Sequence, residues 1–188
     1  MGLYLKDKKC NESLWDGEIK LKISGSFSLT PINFNDIESE AMMYFVNCND
    51  DVIRWHLPDF SVKDIPEAKE KLLELLGLDA SRNSVTLCIR MGNGVIGYVR
   101  CLSPSVQKGS GNWSINFWMG PLTRRRNITK AAVSRTLQYL QSHEVDLVDA
   151  YIHSANFGGI KILNFCGFNL MDRMGGVRHN HYRVKLGS

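Results

Sequence analysis

Three consecutive arginines, Arg124, Arg125 and Arg126, stand between the apolar, aromatic stretch Trp113 to Met119 and an apolar-periodic run that starts near Ile128. A strand, a basic loop and a helix N-terminus in that order make an anion site. The first turn of a helix leaves backbone N–H groups unpaired and carries the positive end of the dipole. The expected ligand bears phosphate. The plainer alternative is a solvated basic turn. Taken with Lys130 and Arg135, the same residues also read as a nucleic-acid patch, but aromatic interleaving is poor and a net charge of +4 is low for that role.

Proton chemistry at neutral pH points to histidine. Of the five histidines, His56 and His153 are the candidate bases, and His153 reads equally as a structural hydrogen-bonding residue. Trp55-His56-Leu57-Pro58 is either a packed connector or a pocket wall, and Pro58 is expected to keep it out of a helix. His143, His179 and His181 have no metal-like helical spacing, and His179 with His181 reads as a surface pair on a strand. Five scattered cysteines offer no CxxC pattern and no disulfide framework. Cys88, Cys101 and Cys166 read as small core side chains. No metal site is expected.

The elements that must position these groups follow from periodicity. Alternation over Glu18 to Ile23 and again over Phe27 to Thr30 gives a hairpin or a kinked long strand ending at Pro31. Asn35 and Asp36 can cap a helix through Phe45, with a short turn following around Asp51 to Trp55. Asp64-Ile65-Pro66-Glu67 starts a helix expected to stop at Gly77. Ser84 to Arg90 and Val95 to Leu102 form a hairpin about Met91-Gly92-Asn93-Gly94. A loop leads to the strand Trp113 to Met119, then a helix from Thr129 through Leu140, then the strand Leu147 to His153. A helix over Phe157 to Asn164 follows, and strands at Asn169 to Met174 and His181 to Leu186 flank a Gly175-Gly176 turn. The passage from the Leu147 to His153 strand through this helix to the strand from Asn169 is expected to pair its two strands in parallel with a right-handed crossover.

At 188 residues, 44% hydrophobic and 22% charged, the chain suits one soluble domain. The expected division is an N-terminal extension over residues 1–24, with an added strand, and a single domain over 25–188. No apolar run reaches the roughly 20 residues that cross a bilayer, and Met1 to Cys10 lacks the apolar centre of a signal peptide. A cytoplasmic location and no membrane partner are therefore expected.

Taken in order, several pieces resemble the GNAT acyltransferase family, and within it the RimJ/RimL-like ribosomal-protein N-terminal acetyltransferases. They are Phe27-Ser28-Leu29-Thr30-Pro31-Ile32 with Asn35-Asp36-Ile37, Val95-Ile96-Gly97-Tyr98, Phe117-Trp118-Met119-Gly120-Pro121, and Ala155-Asn156 with Ile160 to Phe168. The resemblance implies an α/β (α+β) GNAT fold: a mixed twisted sheet of about seven strands, splayed between the fourth and fifth, flanked by about four helices. Acetyl-CoA would lie in the gap. A bulge ending the fourth strand, here near Phe117, Trp118 and Met119, would present a backbone N–H to the thioester carbonyl. Arg124, Arg125, Arg126, Asn127, Ile128 and Thr129 align with the pyrophosphate loop, and Lys130 and Asn156 join the cofactor contacts.

Asn127 and Thr129 replace the glycines usual in that loop. Glycine adopts positive φ freely, Asn is the next most tolerant, Thr offers a hydroxyl and arginine supplies charge-assisted bonds to phosphate. Three acid–base positions of relatives are also substituted. Ser114 stands at the strand-four carboxylate, Leu163 at the tyrosine and Gly159 at the serine, which leaves His56 and His153 as replacement bases. Trp55, His56, Trp113, Asn116 and the Gly175 to Arg178 loop would form the acceptor wall. The implied reaction is N-acetyl transfer to a primary amine, either a protein N-terminus or a small molecule, by direct attack in a ternary complex. The alternative is a catalytically impaired CoA-binding or protein-binding module. A monomer or homodimer is expected.

Overall fold

A computed structural model describes residues 21–24, 26–106, 111–124, 127–173 and 178–187. Among the described residues, eight strands form one sheet: β1 (Leu21–Ser24), β2 (Phe27–Pro31), β3 (Ser84–Met91), β4 (Gly94–Leu102), β5 (Trp113–Met119), β6 (Leu147–His153), β7 (Asn169–Arg173) and β8 (His179–Lys185), in the order β1-β2-β3-β4-β5-β6-β8-β7. Five helices cover it: α1 (Ile37–Cys48), α2 (Asp51–His56), α3 (Ile65–Ala80), α4 (Ile128–Ser142) and α5 (Phe157–Phe165). The N-terminal alternation resolves as a hairpin, since β1 pairs antiparallel with β2. That strand raises the sheet from about seven strands to eight. The family's fourth and fifth strands are accordingly β5 and β6.

The two sheet faces bury different residues because β side chains alternate. Ile115, Met119, Val148, Ala150 and Ile152 pack with Val133, Leu137 and Leu140 of α4 and Leu163 of α5. On the other face Cys88, Tyr98 and Trp118 meet Ala41 and Tyr44 of α1 and Leu72 and Leu75 of α3. Tyr98 stacks on Trp118 at 5.1 Å and Tyr44 meets Tyr98 edge-on. Trp118 Nε1 donates to Cys48 Sγ at 2.8 Å, so the indole keeps a partner in the dry core. Cys48, Cys88 and Cys101 are buried free thiols and Cys166 is half-buried.

Three local expectations are corrected. The turn before α1 is capped by Asn33, whose side chain accepts from Asn35 N–H, while Asp36 makes no side-chain cap bond. The residues Trp55 and His56 are helical: Asp50 Oδ1 accepts from Val52 and Ile53 N–H and starts α2. Pro58 constrains only the residue before it, Leu57, which leaves the helix at φ −141. Finally, α3 runs past Gly77 to Ala80, because Leu72 and Leu75 bury their side chains and outweigh the ~1 kcal/mol cost of one helical glycine. It ends where Arg82 turns left-handed at φ 61 and Asn83 N–H bonds back to Leu78 O. Its start is as expected, with Glu67 N–H donating to Asp64 Oδ1 at 2.9 Å. No helix among the described residues is long and apolar enough to cross a membrane.

Candidate active site

The sheet splits where β5 and β6 separate. They run parallel and are paired at Trp113 with Val148 and at Ser114 with Asp149. Beyond that rung β5 stays bonded to β4 as far as Met119. Gly120 N–H donates to Ile96 O at 2.8 Å. The alternation of an antiparallel ladder then turns the Asn116 and Trp118 N–H groups toward β4 and those of Phe117 and Met119 toward the gap. No register shift interrupts this ladder. The implied bulge is therefore not what frees these groups; the departure of β6 is.

A cleft of about 510 Å³ occupies the gap. Val52, Ile53, His56 and Leu57 form the α2 wall, and Phe117, Trp118 and Met119 form the floor. Asn156 to Gly159, Lys161 and Ile162 form the α5 wall, and Arg124, Asn127, Thr129 and Lys130 close one end. The cleft is thus apolar along its floor and cationic at one end.

The loop at that end enters α4 through Asn127, which is left-handed at φ 58 and makes no side-chain cap bond. The conformation a glycine would adopt is present, carried by the residue next most tolerant of it. Ala131 N–H bonds to Asn127 O, so the N–H groups of Ile128, Thr129 and Lys130 are the first-turn donors. The Ile128 side chain is buried in the core, whereas Thr129 and Lys130 line the cleft. Lys130 Nζ lies 4.8 Å over the Phe165 ring. The guanidinium of Arg124 donates from Nε to Met119 O at 3.0 Å and from Nη2 to Asp50 Oδ2 at 2.5 Å. Arg125 and Arg126 lie outside the described residues, as do Gly175, Gly176 and Val177 of the acceptor loop.

Across the cleft, Asn156 caps α5 by accepting from Gly159 N–H at 2.9 Å. A Cβ at Gly159 would run into Ile152 Cδ1 and crowd the Asn156 carboxamide. A side chain at this position requires the end of the Ile152 side chain to move. Leu163 is fully buried in the core and presents no proton.

The histidines gather at the α2 end. The His56 and His153 rings lie 5.5 Å apart, His153 and His179 another 5.5 Å, and Trp55 is edge-on to His153 at 6.3 Å. Ala155 N–H donates to His153 Nδ1 at 3.1 Å, so that nitrogen carries a lone pair and the ring proton sits on Nε2. His56 Nδ1 is buried without a hydrogen-bond partner. Burial, followed by the charges of His153 and His179, lowers the His56 pKa from its ordinary 6.5. The surface-pair reading of His179 and His181 is corrected: His179 meets His153, and His181 stacks on Tyr151 at 4.8 Å with Nε2 3.0 Å from Asp149 Oδ1. Their β8 register opposite His153 and Tyr151 brings them inward.

Asp149 escaped the sequence reading. It sits opposite Ser114 at the last rung before the split and is 1% exposed. Arg183 donates to both its oxygens, at 2.6 and 3.0 Å, and Asn112 Nδ2 donates at 3.1 Å. Burial alone would raise its pKa, but bonds from Arg183, Asn112 and His181 outweigh that and hold it at about 2. It stays ionised and organises the fork of the sheet. The available signal was an acid inside the apolar run Leu147 to Ile152, since a buried charge demands a partner. Ser114, 2% exposed, points from β5 to the α1/α3 face, as does half-exposed Asn116. Trp113, expected beside Trp55, points to the other face and packs against the α4-side core. Among the described residues no group of three or more His, Cys, Asp or Glu side chains is placed to hold a metal ion.

This split-sheet architecture agrees with comparison to known proteins. The acetyltransferase (GNAT) domain family matches residues 28–169, and the chain belongs to that family. A search of curated proteins found no sequence match. Among solved structures, the apo form of RimL, the ribosomal L7/L12 alpha-N-protein acetyltransferase, superposes with a TM-score of 0.72 at 12% identity, covering 88% of this chain and 93% of that one. The ribosomal-protein-S5-alanine acetyltransferase of Vibrio fischeri gives 0.70 at 15%, covering 89% and 97%. The microcin C7 self-immunity acetyltransferase MccE, solved with acetyl-CoA and AMP, gives 0.69 at 17%, covering 87% and 94%. At these identities the likeness is one of fold.

Proposed function

We propose that the protein transfers an acetyl group from acetyl-CoA to a primary amine by direct attack in a ternary complex. The observation that carries this is the split between β5 and β6, which leaves the Phe117 and Met119 N–H groups facing a cleft that ends at the first turn of α4. The cleft fits the donor: its floor is apolar, as a pantetheine arm needs, and its end is cationic, as phosphates need. Acetyl-CoA supplies an activated thioester. Phe117 and Met119 hold the acyl oxygen where negative charge develops. The first-turn N–H groups of Ile128, Thr129 and Lys130, together with the side chains of Lys130, Arg124, Arg125 and Arg126, hold phosphate. Asn156 keeps α5 against the opposite wall.

His56 takes the amine's proton. It lines the cleft, and its lowered pKa keeps it unprotonated at neutral pH. His153 already accepts the Ala155 N–H at Nδ1, which leaves its Nε2–H to donate. It serves better as a donor that orients the acceptor. Trp55 and Asn116 share the acceptor side, with Ser114 buried beneath. For the acceptor, a similar Salmonella typhimurium acetyltransferase described as modifying the N-terminal serine of L7/L12, and the S5-alanine enzyme, favour a protein N-terminus starting with Ser or Ala, while MccE, solved with AMP, favours a small molecule. We place the transferase in a single domain over 25–188 with residues 1–24 as an extension.

The decisive experiment is calorimetric titration with acetyl-CoA, followed by thiol release with peptides starting in Ser or Ala. Binding with release supports the transferase. Binding without release across an amine panel supports the second reading, a CoA-binding module without turnover, which Leu163 and Gly159 favour. No binding refutes both.

A further inference from the structure

The two sides of the cleft are joined by a single carboxylate. Asp50 Oδ1 accepts from the Val52 and Ile53 N–H groups and so caps α2. Its other oxygen, Oδ2, takes the Nη2 donor of Arg124 at 2.5 Å, and Arg124 Nε donates to Met119 O at 3.0 Å. An unbroken path therefore runs from the end of β5, where the backbone turns N–H groups into the gap, through one guanidinium and one carboxylate to the helix that ends in His56.

Beyond the ring contacts of Trp55 and His56 with His153, that helix has little else to fix it. It is six residues long, far below the length at which a helix is stable by itself. Ile53 is its one buried residue. Arg54 reaches only neighbours in sequence, Asp51 and Asn49. His56 is not tethered through its buried Nδ1. The Asp50–Arg124 pair, by contrast, is partly shielded from water and charge-assisted at both bonds, which places it above ordinary surface pairs. Two of the five Arg124 N–H groups are committed to this path, which leaves three to face an anion.

We propose that Asp50 and Arg124 form a strut that sets where His56 stands relative to the Phe117 and Met119 backbone. Asp50 is thus a positioning residue for acetyl transfer. The consequence for catalysis rests on the transferase reading; the strut does not. Asp50→Asn separates capping from coupling, because an Asn oxygen accepts the same two helix N–H bonds while the ion pair is lost.

The test uses the full chain and its Asp50→Asn, Arg124→Gln and double variants. Hydrogen exchange is followed at the Arg54 and Leu57 amides, whose bonds to Asp50 O and Ile53 O define α2. Exchange at both is expected to quicken about fivefold to tenfold in each single variant and no further in the double, with α3 amides unchanged. With a Ser-starting peptide as acceptor, kcat is expected to fall about tenfold while KM for acetyl-CoA stays within about twofold in Asp50→Asn. Wild-type exchange in Asp50→Asn, or effects that add fully in the double variant, overturns the strut. Faster, non-additive exchange in a protein that binds no acetyl-CoA upholds the strut and sinks the transferase reading instead.

Discussion

Replacing Asn127 isolates the cost of the left-handed turn that starts α4. Its φ of 58 is open to Asn and Gly, whereas a residue such as Ala pays about 1–2 kcal/mol there. The Asn127 side chain caps nothing, so Asn127→Ala removes no cap bond and the conformational penalty dominates. For a domain of this size that is a fall in Tm of about 3–6 °C. Asn127→Gly relieves the turn but frees the unfolded chain by about 0.4–1 kcal/mol, so its Tm stays close to wild type. Calorimetric melting should rank Gly and Asn together above Ala. Acetyl-CoA affinity should follow the same order, because residue 127 aims the Ile128 to Lys130 N–H groups. An Asn127→Ala protein as stable as wild type, or Asn127→Gly as damaging as Ala, refutes the reasoning.

Breaking the pair at the fork of the sheet with Asp149→Asn removes the charge that Arg183 meets and is expected to cost about 2 kcal/mol in urea unfolding. In the wild type the Asp149 pKa is depressed to about 2, so its contribution is complete above the unfolded value near 4 and is lost as pH falls through about 2, a loss of about 2 kcal/mol. His56 binds its proton less readily than ordinary histidine, so kcat/KM should be flat above its ordinary 6.5, fall below a midpoint lower than that, and lose this limb in His56→Ala. A Cβ at Gly120 would collide with the Asn47 carboxamide, which donates to Met43 O at 2.7 Å and Val95 O at 2.8 Å. Gly120→Ala should cost about 2–4 kcal/mol, and Gly120→Ala/Asn47→Ala should melt with Asn47→Ala alone.

Where the informative residues are neighbours in the chain, the sequence was readable. The 84–102 hairpin, the Asp64 cap and the bounds of α4, β6 and α5 stand within a residue or two of expectation, because turn chemistry and apolar period are local; the expected parallel pairing of β6 with β7 is corrected, since β8 lies between them. The end of α3 was misplaced because Gly77 is overruled by burial on the rest of the helix. Helix α2 was placed to within a residue, around Asp51 to Trp55, but its cap was not read because Asp50 looks like any loop acid. Its significance comes from Arg124, 74 residues away. Asp149 with Arg183, and the inward turn of His179 and His181, depend on the register of β6 against β8, which alternation alone does not set. Trp113 and Trp55 fell on opposite faces for a related reason: strand parity fixes which residues share a face, but not which face a distant helix covers.

The central claim is that acetyl-CoA lies in the gap between β5 and β6, with its acyl oxygen at the strand and its phosphates at the start of α4. Amide chemical shifts recorded during titration with acetyl-CoA test this most directly. The largest changes are expected at Phe117 and Met119 and at Ile128, Thr129 and Lys130. Saturable binding that leaves these five amides unmoved would contradict it.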